Sequence, residues 1–102
     1  PVADFNDPEA VKIVQLDDTC RQQQHGEGHF PTFDSVPQYA LTLTVPALCQ
    51  ATKMICLCPE TRKAKIAKIA LQGEISTTCP VSYLRTQPQC VMYLDEESAS
   101  LL

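Results

Sequence analysis

The sequence predicts an α+β fold, a two-layer sandwich of an antiparallel sheet with about two helices, stapled by disulfides. Three observations lead to this prediction: apolar residues alternate over 39–45 and 52–58, an amphipathic stretch covers 59–72, and the chain carries six cysteines. Alternation with a period of two is typical of a strand, and apolar spacing of three to four residues is typical of a helix. A chain of 102 residues is long enough for one core, so we expect a single domain over residues 1–102.

The first part of the chain predicts a helix followed by a long loop. After a flexible lead-in over residues 1–6, the tripeptide Asp-Pro-Glu at 7–9 has the acceptor, proline and carboxylate typical of a helix start. The helix would run to about Gln23, although the β-branched residues within 11–14 make a strand the alternative. Residues 24–37 contain two glycines and two prolines, which indicates a loop. Loops of this length are usually functional or mobile, so this one is a candidate for binding.

Two strands are predicted at the centre of the chain. Residues 39–45 alternate apolar and polar side chains, and Pro46 ends the pattern. In the strand over 52–58, the alternate positions Met54, Cys56 and Cys58 share one face. The residues between them are apolar too, which predicts a central strand that is covered on both sides. Helical spacing from Pro46 to Cys58 leaves an alternative, which would make the protein an all-α disulfide-linked bundle.

A helix is predicted over residues 59–72, directly after the second strand. Pro59 suits the first helical position because its missing N–H is unpaired there, and Gly73 is a good C-terminal stop. Two further strands, 78–85 and 89–94, would form an antiparallel hairpin, and the acidic tail 95–102 would be flexible.

The cysteine count predicts disulfides and an oxidising compartment. Six cysteines without a CxxC pair or zinc-finger spacing favour three bridges over a metal site, with 15 possible connectivities. In the hairpin register Cys79 faces Leu94 and Cys90 faces Tyr83, so each cysteine should bridge to another element. We therefore expect a secreted, extracellular protein. The cysteines assigned to disulfides are Cys20, Cys49, Cys56, Cys58, Cys79 and Cys90.

The charge distribution predicts a binding surface on the helix 59–72. Residues 1–40 carry two basic against seven acidic residues, whereas residues 53–72 carry five basic against one acidic. A basic helix in an acidic protein could meet an anionic macromolecule. Nucleic acid is not expected, because the chain is not basic overall and lacks interleaved aromatic residues. The candidate binding residues are Arg62, Lys63, Lys65 and Lys68 on the helix, and His25, His29, Phe30 and Phe33 on the loop.

No pattern predicts catalysis, a cofactor or a metal. His25-Gly26-Glu27-Gly28-His29 brings two imidazoles and a carboxylate together, but it is not an HExxH helix and its glycines favour a solvated loop. The cysteines are expected to be consumed in bridges, and no nucleophile elbow is present. No window approaches the 18 apolar residues of a membrane span. The sequence therefore predicts a non-enzymatic protein.

The cysteine pattern resembles that of small secreted cysteine-rich fungal effectors of the killer-toxin-like type. The similarity covers residues 39–94 and consists of a C-x-C strand, Cys56 and Cys58, that enters a helix and is followed by Cys79 and Cys90. It implies an α/β sandwich of antiparallel strands with helices on one face, without enzymatic activity. The spacing is also similar to that of plant lipid-transfer proteins, which carry eight cysteines and an adjacent Cys-Cys pair.

The predicted function is that of a secreted interaction protein, effector or toxin-like, that binds a host or competitor macromolecule. The binding surface would be the loop 24–37, the basic helix, or both. The alternative is a carrier of a small apolar ligand such as a lipid, with a helical disulfide cage. A protease inhibitor, with an exposed loop on a stapled frame, is a third hypothesis. The sequence leaves the oligomeric state open.

Overall fold

The computed structural model describes residues 3–102. Within residues 3–102, four strands and three α-helices follow one another. They are β1 (Val11–Gln15), α1 (Asp18–Gly26), β2 (Tyr39–Leu43), α2 (Val45–Cys49), β3 (Met54–Cys58), α3 (Ala64–Gln72) and β4 (Cys90–Leu94). Two 3₁₀ helices, Thr61–Lys63 and Pro80–Thr86, precede and follow α3. No helix among the described residues is long and apolar enough to cross a membrane.

The strands form two separate pairs. β1 and β2 are antiparallel, with Val11 opposite Leu43 and Gln15 opposite Tyr39. β3 and β4 are parallel, with Met54 opposite Cys90. Parallel neighbours need a crossover connection, and here α3 provides it, so that the chain from β3 to β4 is a βαβ unit. The predicted two-layer sandwich with one antiparallel sheet is therefore wrong, and so is the all-α alternative.

The helix predicted from the Asp-Pro-Glu tripeptide to Gln23 is wrong. Its β-branched residues form β1, because the edge of β2 supplies their hydrogen-bond partners. The helix begins later, at Asp18, where the Asp17 carboxylate accepts a hydrogen bond from the Cys20 amide at 2.8 Å. That contact fits the preference of aspartate for the N-cap position.

The predicted hairpin over 78–94 is also wrong. Pro80 opens a 3₁₀ helix instead, and the fully buried Ser82 holds it in place by donating to the Cys79 carbonyl at 2.6 Å. The Ser82 hydroxyl also accepts from the Ser76 amide at 3.0 Å. This segment packs on α3, so β4 pairs with β3 rather than with the residues just before it.

The core lies along one face of α3. Ala64, Ala67 and Ala70 recur at every third position and are almost fully buried, while Lys65 and Lys68 are exposed. Alanines at these positions let the neighbouring 3₁₀ helix approach closely. Helix 59–72 was predicted in nearly the right place, although its first turn is 3₁₀ and α3 itself starts at Ala64.

The disulfide prediction is wrong. All six cysteines lie within the described residues, and each is a free thiol. Cys79 is buried and the other five are half-buried. Unpaired cysteine is a small apolar side chain that is often found in protein interiors, and that is its role here.

Phe5 near one end of the sequence and Ser98 near the other both make defined contacts. Phe5 stacks on Tyr83 with ring centroids 4.3 Å apart. Ser98 is fully buried, and its hydroxyl accepts from the Asp95 amide at 3.0 Å. Pro1 and Val2 lie outside the described residues. The flexibility of 1–6 and 95–102, like the single-domain organisation, stays a prediction.

Candidate anion-binding cleft

The turn after β3 brings two cationic side chains to the carboxyl end of the parallel strands. β3 ends at Cys58, and Arg62 and Lys63 lie in the 3₁₀ turn that leads into α3. Ligands of open α/β sheets bind beyond the carboxyl ends of the strands, where helix N-termini point backbone N–H groups outward. No side-chain cap accepts from either the 3₁₀ turn or α3. The positive charges of Arg62 and Lys63 make this end of the βαβ unit a candidate site for an anion.

Glu60, at the start of this turn, has a strained backbone conformation. Its φ of 78° and ψ of 155° lie in a region that residues other than glycine rarely adopt, at a cost of about 1–3 kcal/mol. The Asp95 carboxylate accepts from the Glu60 amide at 2.9 Å, and the Glu97 carboxylate accepts from the Thr61 hydroxyl at 3.1 Å. These bonds tie the turn after β3 to the segment after β4 and hold the strained conformation.

A cleft of about 370 Å³ lies between this turn and the end of α1. One wall is the basic turn and the start of α3, and the other is the C-terminal part of α1 with the residue that follows it. The lining residues are Gln23, Glu27, Arg62, Lys63 and Ile66.

Glu27 is the acidic group of the cleft. Its carboxylate accepts from the Gln23 side-chain amide at 3.3 Å and lies 3.4 Å from the His29 imidazole. The hydrogen bond from Gln23 lowers the pKa of Glu27, and the positive charges of Arg62 and Lys63 lower it further. The carboxylate is therefore ionised near neutral pH, facing the two cations across the cleft.

Arg21 anchors the loop after α1, which carries Glu27 and His29. Its guanidinium donates to the carbonyls of Phe33 at 3.3 Å and Val36 at 3.0 Å, and lies 4.3 Å from the centre of the Phe33 ring. The His25 ring nitrogen Nδ1 lies 3.0 Å from the Phe30 carbonyl oxygen. Both contacts fold the loop back on α1, which fixes the position of Glu27.

The predicted binding residues separate into three groups. Arg62 and Lys63 line the cleft, and His29 reaches it through Glu27. Lys65 and Lys68 are exposed on α3 and are not among the lining residues. His25, Phe30 and Phe33 instead hold the loop, through the contacts made by His25 and Arg21. A binding role for any of these residues stays a prediction.

The sequence interpretation missed Gln23, Glu27 and Ile66 as lining residues. Glu27 had a signal, since it lies between two histidines in the loop 24–37 that was predicted to bind, but only the histidines were named as candidate binding residues. No sequence signal marked Gln23 or Ile66 as a lining residue, because only the tertiary structure brings α1 beside α3.

Metal-ligating side chains and three of the thiols have a defined arrangement among the described residues. Among residues 3–102, no group of three or more histidine, cysteine, aspartate or glutamate side chains could hold a metal ion. Burial raises the pKa values of Cys20, Cys49 and Cys56. These thiols are therefore protonated at neutral pH and are poor nucleophiles.

Comparison with known proteins identifies enzyme relatives. No family model matches the chain. A glucosamine-6-phosphate deaminase of Bacillus cereus (strain B4264) is 31% identical over 101 residues, which cover 99% of this chain and 37% of that protein. The deaminase of Halothermothrix orenii is 32% identical over 101 residues, covering 96% of this chain and 42% of the relative.

A solved structure supports the same similarity. It is described as a monomeric glucosamine-6-phosphate deaminase and a missing link of the NagB superfamily. It superposes with a TM-score of 0.87 at 29% identity, over 98% of this chain and 40% of its own. The chain thus spans about two fifths of the length of these relatives.

These relatives overturn the functional predictions. The resemblance to killer-toxin-like effectors is wrong, because the match to deaminases covers nearly the whole chain rather than a cysteine spacing. The predictions of a secreted, extracellular protein, of an effector or toxin-like role and of a macromolecular target are wrong as well. They depended on disulfides, and the thiols are free.

The prediction of a non-enzymatic protein is wrong for the same reason, since the relatives are named as enzymes that act on a small molecule. The alternative prediction of an apolar-ligand carrier is also wrong, because it required an all-helical cage and the structure contains strands. The chain is similar, along nearly all of its length, to part of a glucosamine-6-phosphate deaminase of the NagB superfamily.

Proposed function

We propose that this chain is part of an enzyme that deaminates a phosphorylated amino sugar, glucosamine 6-phosphate, and that its cleft binds the anionic group of the substrate. The observation that carries the proposal is the match to deaminases, 31–32% identical over 96–99% of the chain, together with the TM-score of 0.87. The chain spans about two fifths of these relatives, so the activity of a whole enzyme is itself part of the proposal.

The basic wall of the cleft supports this role. A phosphate group carries negative charge and several acceptor oxygens, and it suits the start of a helix where N–H groups and cationic side chains converge. The half-buried Lys63 offers a point charge, and the exposed Arg62 offers a planar set of donors. The Glu60 carboxylate, which accepts from Arg62 Nε at 2.9 Å, orients the guanidinium.

The opposite wall suits the polar part of a sugar. Glu27 and Gln23 carry hydrogen-bonding groups at the cleft surface, and His29 lies beside the carboxylate. An ionised carboxylate accepts hydrogen bonds from hydroxyl or ammonium groups. The cleft therefore offers cations to one end of an amino sugar phosphate and acceptors to the other.

The test replaces Lys63 with methionine in the complete enzyme and measures ammonia release from glucosamine 6-phosphate. Loss of one charge-assisted hydrogen bond costs about 1.5–3 kcal/mol, so KM should rise roughly 10- to 100-fold. The matched control is Lys68→Met, on the same helix but outside the cleft, which should leave KM within about twofold. Ammonia release that is absent from the parent enzyme, or equal KM values for the two variants, would refute the proposal.

A further inference from the structure

The backbone of Glu60 adopts a conformation that normally requires glycine. Its φ of 78° and ψ of 155° lie in a region from which a Cβ atom is almost always excluded. Among residues 3–102 it is the only residue other than glycine with a positive φ. Without support, the turn would relax to a conformation with negative φ, so some contact must oppose that relaxation.

Asp95 supplies this contact from the neighbouring strand. β3 and β4 are parallel, so the residues that follow them lie side by side, and Asp95 comes directly after β4. Its Oδ2 accepts from the Glu60 amide at 2.9 Å, and its Oδ1 accepts from the Ser98 amide at 2.8 Å. Ser98 is fully buried. One carboxylate therefore fastens Glu60 to a turn that is itself anchored in the interior.

The conformation of Glu60 sets the direction of the chain toward the two cations of the cleft. Arg62 and Lys63 follow within three positions, and the Glu60 carboxylate also accepts from Arg62 Nε at 2.9 Å. Since φ and ψ are the only soft dihedrals of a residue, a change of φ at Glu60 turns the segment after it relative to β3. Such a change would move both cations relative to Glu27 on the opposite wall.

The charge of Asp95 cannot itself favour an anion. Asp95 is not among the residues that line the cleft, and its negative charge would repel a phosphate group. The residue is exposed, so solvent and salt screen this repulsion. Any favourable effect of Asp95 on binding must therefore come through the conformation of the turn.

We propose that Asp95 is a positioning residue for the anionic group of the substrate. Its carboxylate holds the strained backbone of Glu60 and thereby keeps Arg62 and Lys63 in place at the cleft. This inference rests on the proposed function and extends it to a residue outside the cleft. Without the carboxylate, only a fraction of the molecules have both cations in place, and the apparent affinity for phosphate falls by that fraction.

The test replaces Asp95 with asparagine in the same enzyme as the Lys63 test, and measures KM and kcat for glucosamine 6-phosphate. Asparagine has the same shape but a single carbonyl oxygen, so it cannot accept from both amides. KM should rise about five- to twentyfold with kcat within about twofold, because backbone strain of this kind shifts a conformational equilibrium by at least about fivefold. The matched control is Glu96→Gln, at the next position, whose exposed carboxylate accepts no hydrogen bond from residues 3–102. It should leave KM within about twofold.

A second substitution distinguishes positioning from a general loss of stability. Glycine adopts the backbone conformation of Glu60 without strain. In a Glu60→Gly background, Asp95→Asn should therefore raise KM by no more than about threefold. A substitution that weakened the enzyme in another way would have the same effect in both backgrounds.

A KM that is unchanged or lower in Asp95→Asn would overturn the inference, since a lower value is what the removal of a negative charge alone produces. Equal increases in the two backgrounds, or an equal increase for Glu96→Gln, would overturn it as well. If Asp95→Asn does not fold, Thr61→Val removes the other bond between the two segments, the one to Glu97. This variant should raise KM about two- to threefold and Thr61→Ser should not; equal KM values for the two would overturn the inference.

Inorganic phosphate separates this inference from the proposed function. Its Kd, measured by isothermal titration calorimetry, should rise with Asp95→Asn by about the same factor as KM. An enzyme that binds phosphate in this way but releases no ammonia would refute the proposed function and leave the role of Asp95 in place. Ammonia release with a phosphate Kd that is insensitive to Asp95→Asn, or without phosphate binding by the parent, would overturn the role of Asp95 alone.

Discussion

Replacing Arg21 with methionine should release the loop that follows α1. The guanidinium donates to the carbonyls of Phe33 and Val36, and its side chain is only 12% exposed. Methionine keeps the bulk of the side chain but removes both hydrogen bonds and the contact with the Phe33 ring. The loop between Glu27 and Val36 then has no charged anchor to α1.

The magnitude follows from these contacts. Each hydrogen bond from a charged donor contributes about 1.5–3 kcal/mol, and the stacking of the cation on the ring contributes about 0.5–1 kcal/mol. The guanidinium also carries a cost, since its Nε is buried without a hydrogen-bond partner. Removing that group recovers about 1–3 kcal/mol, which leaves a net destabilisation of about 2.5–4 kcal/mol.

The assay is urea unfolding combined with amide hydrogen exchange at Val36. The Val36 amide donates to the Phe33 carbonyl at 3.1 Å, so its exchange reports directly on the loop. We expect Arg21→Met to lower the unfolding midpoint and to speed exchange at this amide. Arg21→Lys should lose less stability than Arg21→Met, because both hydrogen bonds start from one nitrogen, Nη2, and an ammonium also carries several donors on one nitrogen.

The control is Lys65→Met, which removes a positive charge from an exposed position on α3. It should change stability by less than about 0.5 kcal/mol. A similarly small change for Arg21→Met, or unchanged exchange at Val36, would show that Arg21 does not anchor the loop.

Two further predictions concern acid stability and the thiols. Hydrogen bonding from the Cys20 amide lowers the pKa of Asp17 to about 2, and the Ser98 amide lowers that of Asp95. Because these folded-state pKa values lie below the unfolded ones, the ionised carboxylates stabilise the fold above about pH 4, and this stabilisation is lost as the pH falls toward 2. Thermal unfolding should therefore show a Tm that decreases over this pH window. The decrease should be less steep for Asp17→Asn. Thiol titration of the denatured, unreduced protein should find all six cysteines, and a reducing agent should leave Tm unchanged; fewer thiols would contradict the assignment.

Local patterns in the sequence were enough to locate several elements. Alternation placed β2 within the predicted 39–45 and β3 within 52–58, since a strand that buries one face must repeat every two residues. The amphipathic pattern over 59–72 placed α3, and Gly73 marked its end. The cluster of positive charge at Arg62 and Lys63 was also visible from composition alone.

Pairing could not be predicted in the same way. β4 was located correctly but assigned to a hairpin, because local sequence favours the nearest strand as a partner. The 3₁₀ helix at Pro80–Thr86 depends on the buried Ser82 hydroxyl, and burial of that group is a tertiary property. The disulfide prediction failed because a cysteine's position in the sequence does not distinguish a bridge from a buried thiol.

The sequence by itself determined where short strands and helices form, because side-chain periodicity and caps act over a few residues. Only the tertiary structure decided that β3 and β4 run parallel and that α1 lies beside the start of α3. These packing arrangements bring together residues about 35 positions apart in the sequence. Glu27 and Arg62, whose charges interact across the cleft, are an example. Contacts at such separation depend on how whole elements pack, and no local pattern encodes them.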